Sequence, residues 1–425
     1  MPVNKNQSSR SELISAFTLL ASGSLIAQAV TVLSSPILTR LYTPKEFGLY
    51  ALFVALAGSL SPAVAGKYEA ALVLPSKKHQ VYSLAYSAFA LSIVCFITVL
   101  GVLLYFAFTE NSVPYVGNLG KYLYFIPLYL LLIGWSETLF GLCNKFEKYK
   151  LMSISRLIQA VTIAIVSISF GVFGFGIFGL ICGVLSGSIV SSIAILCYGK
   201  LNLISNIQKF QELKTVAKAY KNFPIYNATS SIFDAATVHM PIFFLSMYYE
   251  QRLVGLYALT VRVFYTPLIF ISSTLNQILL KKISELVNAD IIATRFLVKS
   301  MALLSIVVFP VFIVLYFFGE NLFGFVFGSE WAEAGKIAKV LAAALSIRFV
   351  ISSVSVSLNA TNNNEIAFYW KILSFISTLI LFFIFANKMD FYDFLFLFVI
   401  VDIAIYLLYA FLILYSTNRP KKITI

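Results

Sequence analysis

The sequence predicts an all-α, polytopic membrane protein whose helices form two six-helix lobes, and three observations lead there. Sixty per cent of its 425 residues are hydrophobic and 12% are charged, which leaves too little polar surface for a soluble domain. Runs of about 20 apolar residues, enough to cross a hydrocarbon core of roughly 30 Å as a helix, recur throughout. A seven-residue stretch also recurs with one change, about half a chain further on.

We predict 12 transmembrane helices. They lie near residues 13–38, 46–65, 81–108, 122–142, 157–173, 177–198, 225–248, 253–279, 300–318, 337–359, 372–387 and 394–415. Segments on the side of the N-terminus hold 22 of the 31 Lys and Arg residues, and the opposite loops hold seven. Because basic residues accumulate in cytoplasmic loops, both termini are expected in the cytoplasm. The net charge of +13 follows from this topology, so nucleic acid is not expected as a partner.

The first span is expected to be retained in the mature protein. Its apolar run is longer than the h-region of a signal peptide and lacks an A-x-A-like cleavage site. The four cysteines lie in or at the ends of spans without C-x-x-C spacing. We therefore predict neither a disulfide framework nor a metal site, and no cofactor.

The duplicated stretch reads GLYALFV from Gly48 and GLYALTV from Gly255, 207 positions later. At this offset, residues 21–56 and 228–263 share 11 identities over 36 aligned positions. Each half holds six spans, so both enter the membrane from the same side. Parallel repeats of this kind are typical of transporters, with a site between the repeats.

The repeat sets the predicted domain limits. The N-terminal lobe covers residues 1–198, a cytoplasmic amphipathic linker covers 199–223, and the C-terminal lobe covers 224–425. In the linker, an apolar stripe and a basic side are expected to lie in the interface and to contact anionic lipid. The stripe consists of Leu203, Ile207, Phe210, Ala217 and Tyr220, and the basic residues are Lys209, Lys214, Lys218 and Lys221.

The first copy of the repeated stretch begins with a helix-start signal. Thr43 is the predicted N-cap, Pro44 occupies the first helical position, and Glu46 completes a capping box. The second copy has Glu250 and Arg252 there instead. Each stretch is therefore predicted to start a helix, with a side-chain cap only in the first copy.

Three segments resemble bacterial oligosaccharide flippases, the Wzx-type translocases of O-antigen or capsule repeat units. They are RLYTPKEFGLY (40–50), KYEAALVLP (67–75) and NKFEKYKLMSISR (144–156). This polysaccharide transporter family shares a superfamily with multidrug antiporters and the lipid II flippase. The resemblance implies a carrier in the bacterial inner membrane that moves a polyprenyl-diphosphate-linked oligosaccharide to the periplasmic leaflet. It implies a polysaccharide polymerase and a chain-length regulator as partners, but no particular sugar.

Five ionisable residues fall within predicted spans, where each costs roughly 2.5–3.5 kcal/mol unless it has a partner or faces water. They are Glu137, Asp234, Arg262, Arg348 and Asp402. Asp234 and Arg262 align with Ala27 and Ala55 of the first copy. A charge needed only to build a lobe would be expected in both copies, which favours a functional role for these two residues.

Arg262 and Arg348 are predicted near the middle of their spans, where guanidinium groups suit the planar oxygens of a diphosphate. We expect both arginines to lie in a substrate cleft and to attract the diphosphate head group there. Asp234 is expected in the same cleft. An internal ion pair, for example between Asp234 and Arg262, is the alternative. Lys67 and Arg40 are expected at the two mouths of the cleft, or as interfacial side chains.

Coupling to an ion gradient would require acidic residues, and the candidates are Asp234, Glu137 and Asp402. Four prolines are predicted hinges because proline kinks a helix. They are Pro36, Pro62, Pro241 and Pro267. Pro36 and Pro62 are 26 residues apart, and so are Pro241 and Pro267.

Three alternative functions fit the sequence less well. A multidrug or cation antiporter of the same fold would depend on an acidic residue such as Asp234, whereas two mid-span arginines favour an anionic substrate. A membrane polysaccharide polymerase would need a folded region outside the bilayer, but the longest loop on the outer side covers only residues 319–336. A structural scaffold would have no use for charges at bilayer depth. The expected function is therefore transport, not catalysis.

Overall fold

The computed structural model describes residues 5–109, 117–203, 206, 210–289 and 291–418, which form helices joined by short turns without any strand. The all-α prediction is confirmed for these residues. The chain divides into two compact units, Met1–Met247 and Tyr248–Ile425. The first unit includes the predicted linker and the seventh predicted span, and the domain limits derived from the sequence stay a prediction.

Nine α-helices are described in the first unit. They are α1 (Lys5–Leu41), α2 (Pro44–Val64), α3 (Tyr68–Ala71), α4 (Lys78–Phe108), α5 (Phe125–Lys145), α6 (Tyr149–Val172), α7 (Ile177–Gly199), α8 (Phe210–Ala219) and α9 (Thr229–Tyr248). The last residue of α9 already belongs to the second unit. A 3₁₀ segment (Gly117–Tyr124) precedes α5, and a π-helical segment (Phe223–Ala228) precedes α9.

Seven α-helices are described in the second unit. They are α10 (Gln251–Thr260), α11 (Thr266–Asn288), α12 (Thr294–Phe327), α13 (Ala332–Val354), α14 (Ser357–Ala360), α15 (Asn364–Phe385) and α16 (Phe391–Thr417). A π-helical segment (Val261–Tyr265) joins α10 to α11 without a break in the chain direction. Helix α13 is central, because α10, α11, α12 and α16 all pack against it.

Ten helical stretches of the described chain are long and apolar enough to cross a membrane. They correspond to predicted spans one to six and nine to twelve, so the chain is a multi-pass membrane protein. The seventh and eighth predicted spans form α9 and the α10–α11 stretch, which carry Asp234 and Arg262 and are not among these ten. The count of 12 and the cytoplasmic position of the termini stay predictions, and residues 1–4 and 419–425 lie outside the described residues.

The predicted capping box at the start of α2 is confirmed. The amide of Thr43 donates to Glu46 Oε2 over 2.7 Å, and the amide of Glu46 donates to Thr43 Oγ1 over 3.4 Å. Glu250 precedes α10 without a side-chain cap, also as predicted. Arg252 instead forms an ion pair with Glu333 at 2.6 Å, which ties the start of α10 to α13.

The two copies of the repeated stretch occupy equivalent positions in their units. Gly48 and Gly255 each lie four residues after the first residue of their helix, α2 or α10. Before each helix a tyrosine hydroxyl donates to a distant backbone carbonyl: Tyr42 to Ser167 over 2.6 Å, and Tyr249 to Met389 over 3.2 Å. The two copies are therefore similar in structure as well as in sequence.

The four predicted hinge prolines lie in or at the start of helices. Pro36, Pro62 and Pro241 are inside α1, α2 and α9. Pro267 is the second residue of α11, directly after the second π-helical segment. Their role as hinges stays a prediction.

Helices α12 and α13 approach each other at two glycines. A Cβ atom on Gly335 would lie within 3.0 Å of the backbone N and Cα of Glu320, and one on Gly319 would meet the carbonyl oxygen of Gly335. Backbone atoms cannot move aside as a flexible side chain can. Small residues at such crossings permit the close packing that holds membrane helices together.

We expect Gly335→Val to destabilise the protein by about 2 kcal/mol or more, because overpacking here must separate α12 from α13. Thermal unfolding in detergent, followed by the loss of the monodisperse peak in size-exclusion chromatography, measures this. Gly101→Val is the matched control, because a Cβ at Gly101 meets no atom within 4 Å. Equal losses in both variants would contradict the close-approach argument.

Candidate functional site

Two groups of interacting charged side chains lie within or next to the spans, one in each unit. In the second unit, Arg348 and Asp402 form what we call the α13–α16 ion pair. In the first unit, Lys67, Glu69, Glu137 and Arg156 form what we call the α2–α6 charge cluster.

The α13–α16 ion pair is bidentate. Nε of Arg348 donates to Oδ2 of Asp402 over 2.7 Å, and an Nη atom donates to Oδ1 over 2.5 Å. Asp402 is only 7% exposed. Two parallel charge-assisted bonds fix the orientation of both groups and cancel their net charge. The sequence raised an internal ion pair as the alternative to substrate binding, and the structure contains one with these two partners.

Aromatic rings cover the guanidinium group of Arg348. It lies 5.7 Å from the ring centroid of Tyr265 and 5.4 Å from that of Tyr406, within the range of cation–π attraction. Trp370 packs edge-on against Tyr406 and donates from its indole nitrogen to the carbonyl of Ile405 over 3.1 Å. Arg348 is therefore held by a carboxylate and two rings, and it is set in place before any ligand arrives.

Arg262 lies in the π-helical segment Val261–Tyr265, three residues before Tyr265. The amide of Thr266 bonds to the carbonyl of Val261, five residues back. Pro267 follows and has no N–H to donate to the carbonyl four residues before it, which removes one competing α-helical bond. Short π-helical segments often occur at functional sites.

Arg262 is half-buried, and the described residues form no ion pair with it. The sequence predicts the same role for both arginines, but the structure gives them different surroundings. Arg348 has a neutralising partner, whereas the positive charge of Arg262 is not balanced by any described carboxylate. Both side chains are nevertheless linked through one turn, because Tyr265 covers Arg348 and belongs to the segment that carries Arg262.

The α2–α6 charge cluster begins in the turn after α2. Gly66 and Lys67 both have positive φ angles, 60° and 58°, and this turn places the Lys67 ammonium 3.5 Å from the Glu69 carboxylate. The second carboxylate oxygen of Glu69 is buried without a hydrogen-bond partner among the described residues. Burial raises the pKa of Glu69, the carboxylate of Glu137 raises it further, and Lys67 opposes both effects.

Arg156 was missed as a site residue by the sequence analysis, which placed it in a cytoplasmic loop. It lies seven residues after the first residue of α6, or roughly 10 Å along the helix. Its guanidinium donates to the hydroxyl of Ser24 over 2.7 Å and lies 5.5 Å from the ring centroid of Phe140. Arg156 and Lys67 are the cations that act electrostatically on Glu137, whose side chain is exposed.

The remaining predicted residues lie apart from these groups in their helices. Arg40 is exposed near the end of α1, and Asp234 is exposed on α9. Within the part of the chain that the structure describes, no three His, Cys, Asp or Glu side chains come together as metal ligands. The aromatic cover of Arg348 had no signal in the sequence, because Tyr265 and Tyr406 are two of 24 tyrosines.

We expect Asp402→Leu to destabilise the protein by about 3–5 kcal/mol, because it leaves Arg348 buried without its counter-charge. The double variant Arg348→Met with Asp402→Leu should recover most of that loss, since two apolar side chains need no partner. Thermal unfolding of the two single variants and the double variant completes a double-mutant cycle. Additive losses would contradict a coupled pair.

Comparisons with known proteins give consistent results. A curated relative, the succinoglycan biosynthesis transport protein ExoT of Rhizobium meliloti (strain 1021), is 20% identical over 349 residues, covering 81% of this chain and 68% of that protein. The lipid II flippase MurJ in an inward closed conformation superposes with a TM-score of 0.73 at 15% identity, over 94% of this chain and 87% of that one.

An inward-facing multidrug resistance transporter of the MATE family, in the MOP superfamily, gives a TM-score of 0.64 at 14% identity, over 97% of this chain and 99% of that one. At these identities the two solved structures show the fold alone. A family model described as "Polysaccharide biosynthesis protein" matches residues 37–336, which is more than half of the chain. The chain belongs to this polysaccharide biosynthesis protein family.

Proposed function

We propose that the protein is an inner-membrane flippase that moves polyprenyl-diphosphate-linked oligosaccharide repeat units, of O-antigen or capsule, from the cytoplasmic to the periplasmic leaflet by alternating access. Its family, the transport role named for ExoT and the flippase fold support this assignment. The observation that carries it is the charge of Arg262, in the predicted eighth span, which no described carboxylate balances. A cation kept there at a cost of a few kcal/mol requires a partner, and a diphosphate is one.

The two arginines have different roles in this proposal. Arg262 binds the diphosphate directly, because its guanidinium is not engaged by a described carboxylate. Arg348 acts on the same turn indirectly, since its ion pair and its contact with Tyr265 hold the π-helical segment in place. Lys67 and Arg40 are proposed to attract the diphosphate head group at the two mouths of the substrate cleft. Asp234 is proposed to line the same cleft.

The acidic residues differ in their suitability for ion coupling. Asp402 is bound to Arg348 through both oxygens, so protonating it would first have to break two charge-assisted bonds. Asp234 and Glu137 have exposed side chains. We propose these two as the coupling candidates before Asp402. We propose the helices that contain Pro36, Pro62, Pro241 and Pro267 as the hinges, and the polymerase and chain-length regulator as partners.

A multidrug or cation antiporter is the second candidate function. The similarity to the MATE transporter favours it, as does the exposed carboxylate of Asp234 on α9. An antiporter of this kind would tolerate loss of Arg262 and would depend on Asp234. Catalysis, as in a polysaccharide polymerase, is a weaker proposal, because the family and the fold are those of transporters.

We expect Arg262→Ala to reduce transport at least tenfold, because it removes two charge-assisted hydrogen bonds to the diphosphate. Arg262→Lys should retain part of the activity, since it keeps the charge but loses the planar fork. The measurement is the amount of lipid-linked repeat unit that accumulates in the cytoplasmic leaflet of a deletion strain carrying each variant, together with surface polymer.

Lys388→Ala is the matched control, because Lys388 is exposed in the turn before α16. Each variant must be present in the membrane at wild-type amounts. Normal polymer with Arg262→Ala would refute the substrate role of Arg262. Normal polymer in the deletion strain itself, accompanied by altered drug or cation tolerance that depends on Asp234, would replace the flippase with the antiporter.

A further inference from the structure

One side of helix α8 packs against the rest of the first unit. Val216 is buried in a cluster with the start of α4, and Ala217 and Tyr220 pack against the same cluster. Tyrosine hydroxyls bind the backbone of the segment that contains α8. Those of Tyr82 and Tyr86 donate to the carbonyls of Leu201 and Leu203 over 2.5 and 2.6 Å, and that of Tyr68 donates to Ala217 over 3.2 Å.

A second side of α8 is basic. Lys214 and Lys218 of α8 and Lys221, in the turn directly after it, recur at helical spacing and are all exposed, which places them on one side. None of them is in an ion pair among the described residues. Glu212 is two residues from Lys214, which turns it to the far side of the helix. Phe210 precedes Lys214 by one turn and is 78% exposed.

The position of α8 puts this face at the membrane boundary. The helix follows α7, a membrane-spanning helix that ends at Gly199, and it packs against the first turns of α4, a second span that begins at Lys78. An exposed aromatic ring next to a row of lysines is the pattern of interfacial helices, in which the ring enters the acyl boundary and the ammonium groups stay at the head groups. Ile207 and Lys209 lie outside the described residues.

We propose that the face formed by Phe210, Lys214 and Lys218 of α8, together with Lys221 in the turn after it, binds the anionic head groups of the surrounding leaflet. Charge complementarity selects the occupant, because three unpaired lysines attract an anionic surface and gain little from a zwitterionic one. The proposal goes beyond the flippase assignment, since it does not depend on the transported substrate. It gives the linker a lipid contact that responds to membrane composition.

The test uses the full chain in nanodiscs of phosphatidylcholine alone or with 30% phosphatidylglycerol, and it follows amide hydrogen exchange across residues 210–219 by mass spectrometry. We expect the anionic lipid to slow this exchange by roughly tenfold or more, because opening the helix then requires it to leave the surface. High salt should reverse the effect by screening. The variant Lys214→Gln/Lys218→Gln/Lys221→Gln should exchange equally in both membranes.

The matched control is Lys281→Gln/Arg295→Gln/Lys299→Gln, which removes the same charge from exposed positions in the second unit. It should keep the full lipid effect at residues 210–219. Equal wild-type exchange in the two membranes would overturn the proposal, and so would a lipid effect that survives in the α8 triple variant. Transport plays no part in this measurement, so its outcome is independent of the proposed function.

Discussion

The constraint on which the rest of the structure depends is the lack of water in the hydrocarbon core, which obliges a charge at that depth to find its partner within the protein or in the substrate. In the α13–α16 ion pair, each charge has its partner within the protein. Arg348 and Asp402 cancel each other through two hydrogen bonds, and two tyrosine rings replace the water that the guanidinium has lost. Because α13 is also the helix against which α10, α11, α12 and α16 pack, this pair lies at the centre of the second unit's framework.

Arg262 shows the other response to the same constraint. Its helix has the wider π-helical register, and no described carboxylate neutralises it. Since Tyr265 belongs to the same turn and covers Arg348, a movement that returned this turn to α-helical register would change both the direction of Arg262 and the cover of the ion pair. The ion pair and the π-helical turn are therefore linked through Tyr265, so a change in the turn would alter the surroundings of Arg348.

Features determined by neighbouring residues in the sequence could be predicted, whereas contacts formed by tertiary packing could not. Thr43, Pro44 and Glu46 determine the start of α2 by themselves, so the capping box was predictable. Apolar run length likewise gave the position of ten spans. The partner of Asp402 is 54 residues away, and the rings over Arg348 come from two different elements. Arg156 was assigned to a loop because basic residues near span ends usually belong there, although it lies inside α6 and bonds to Ser24 of α1.

The internal repeat separates architecture from activity. Tyr42 and Tyr249 use their hydroxyls in the same way in the two units, and burial raises the pKa of Tyr249 to about 12, so it remains a hydrogen-bond donor at neutral pH. Gly48 and Gly255 likewise keep the same place in their helices. What the first copy lacks are Arg262 and Asp234, where it has alanines. The two copies thus share the contacts that set their framework, whereas the charges of Arg262 and Asp234 occur in one copy only, so the framework can form without them.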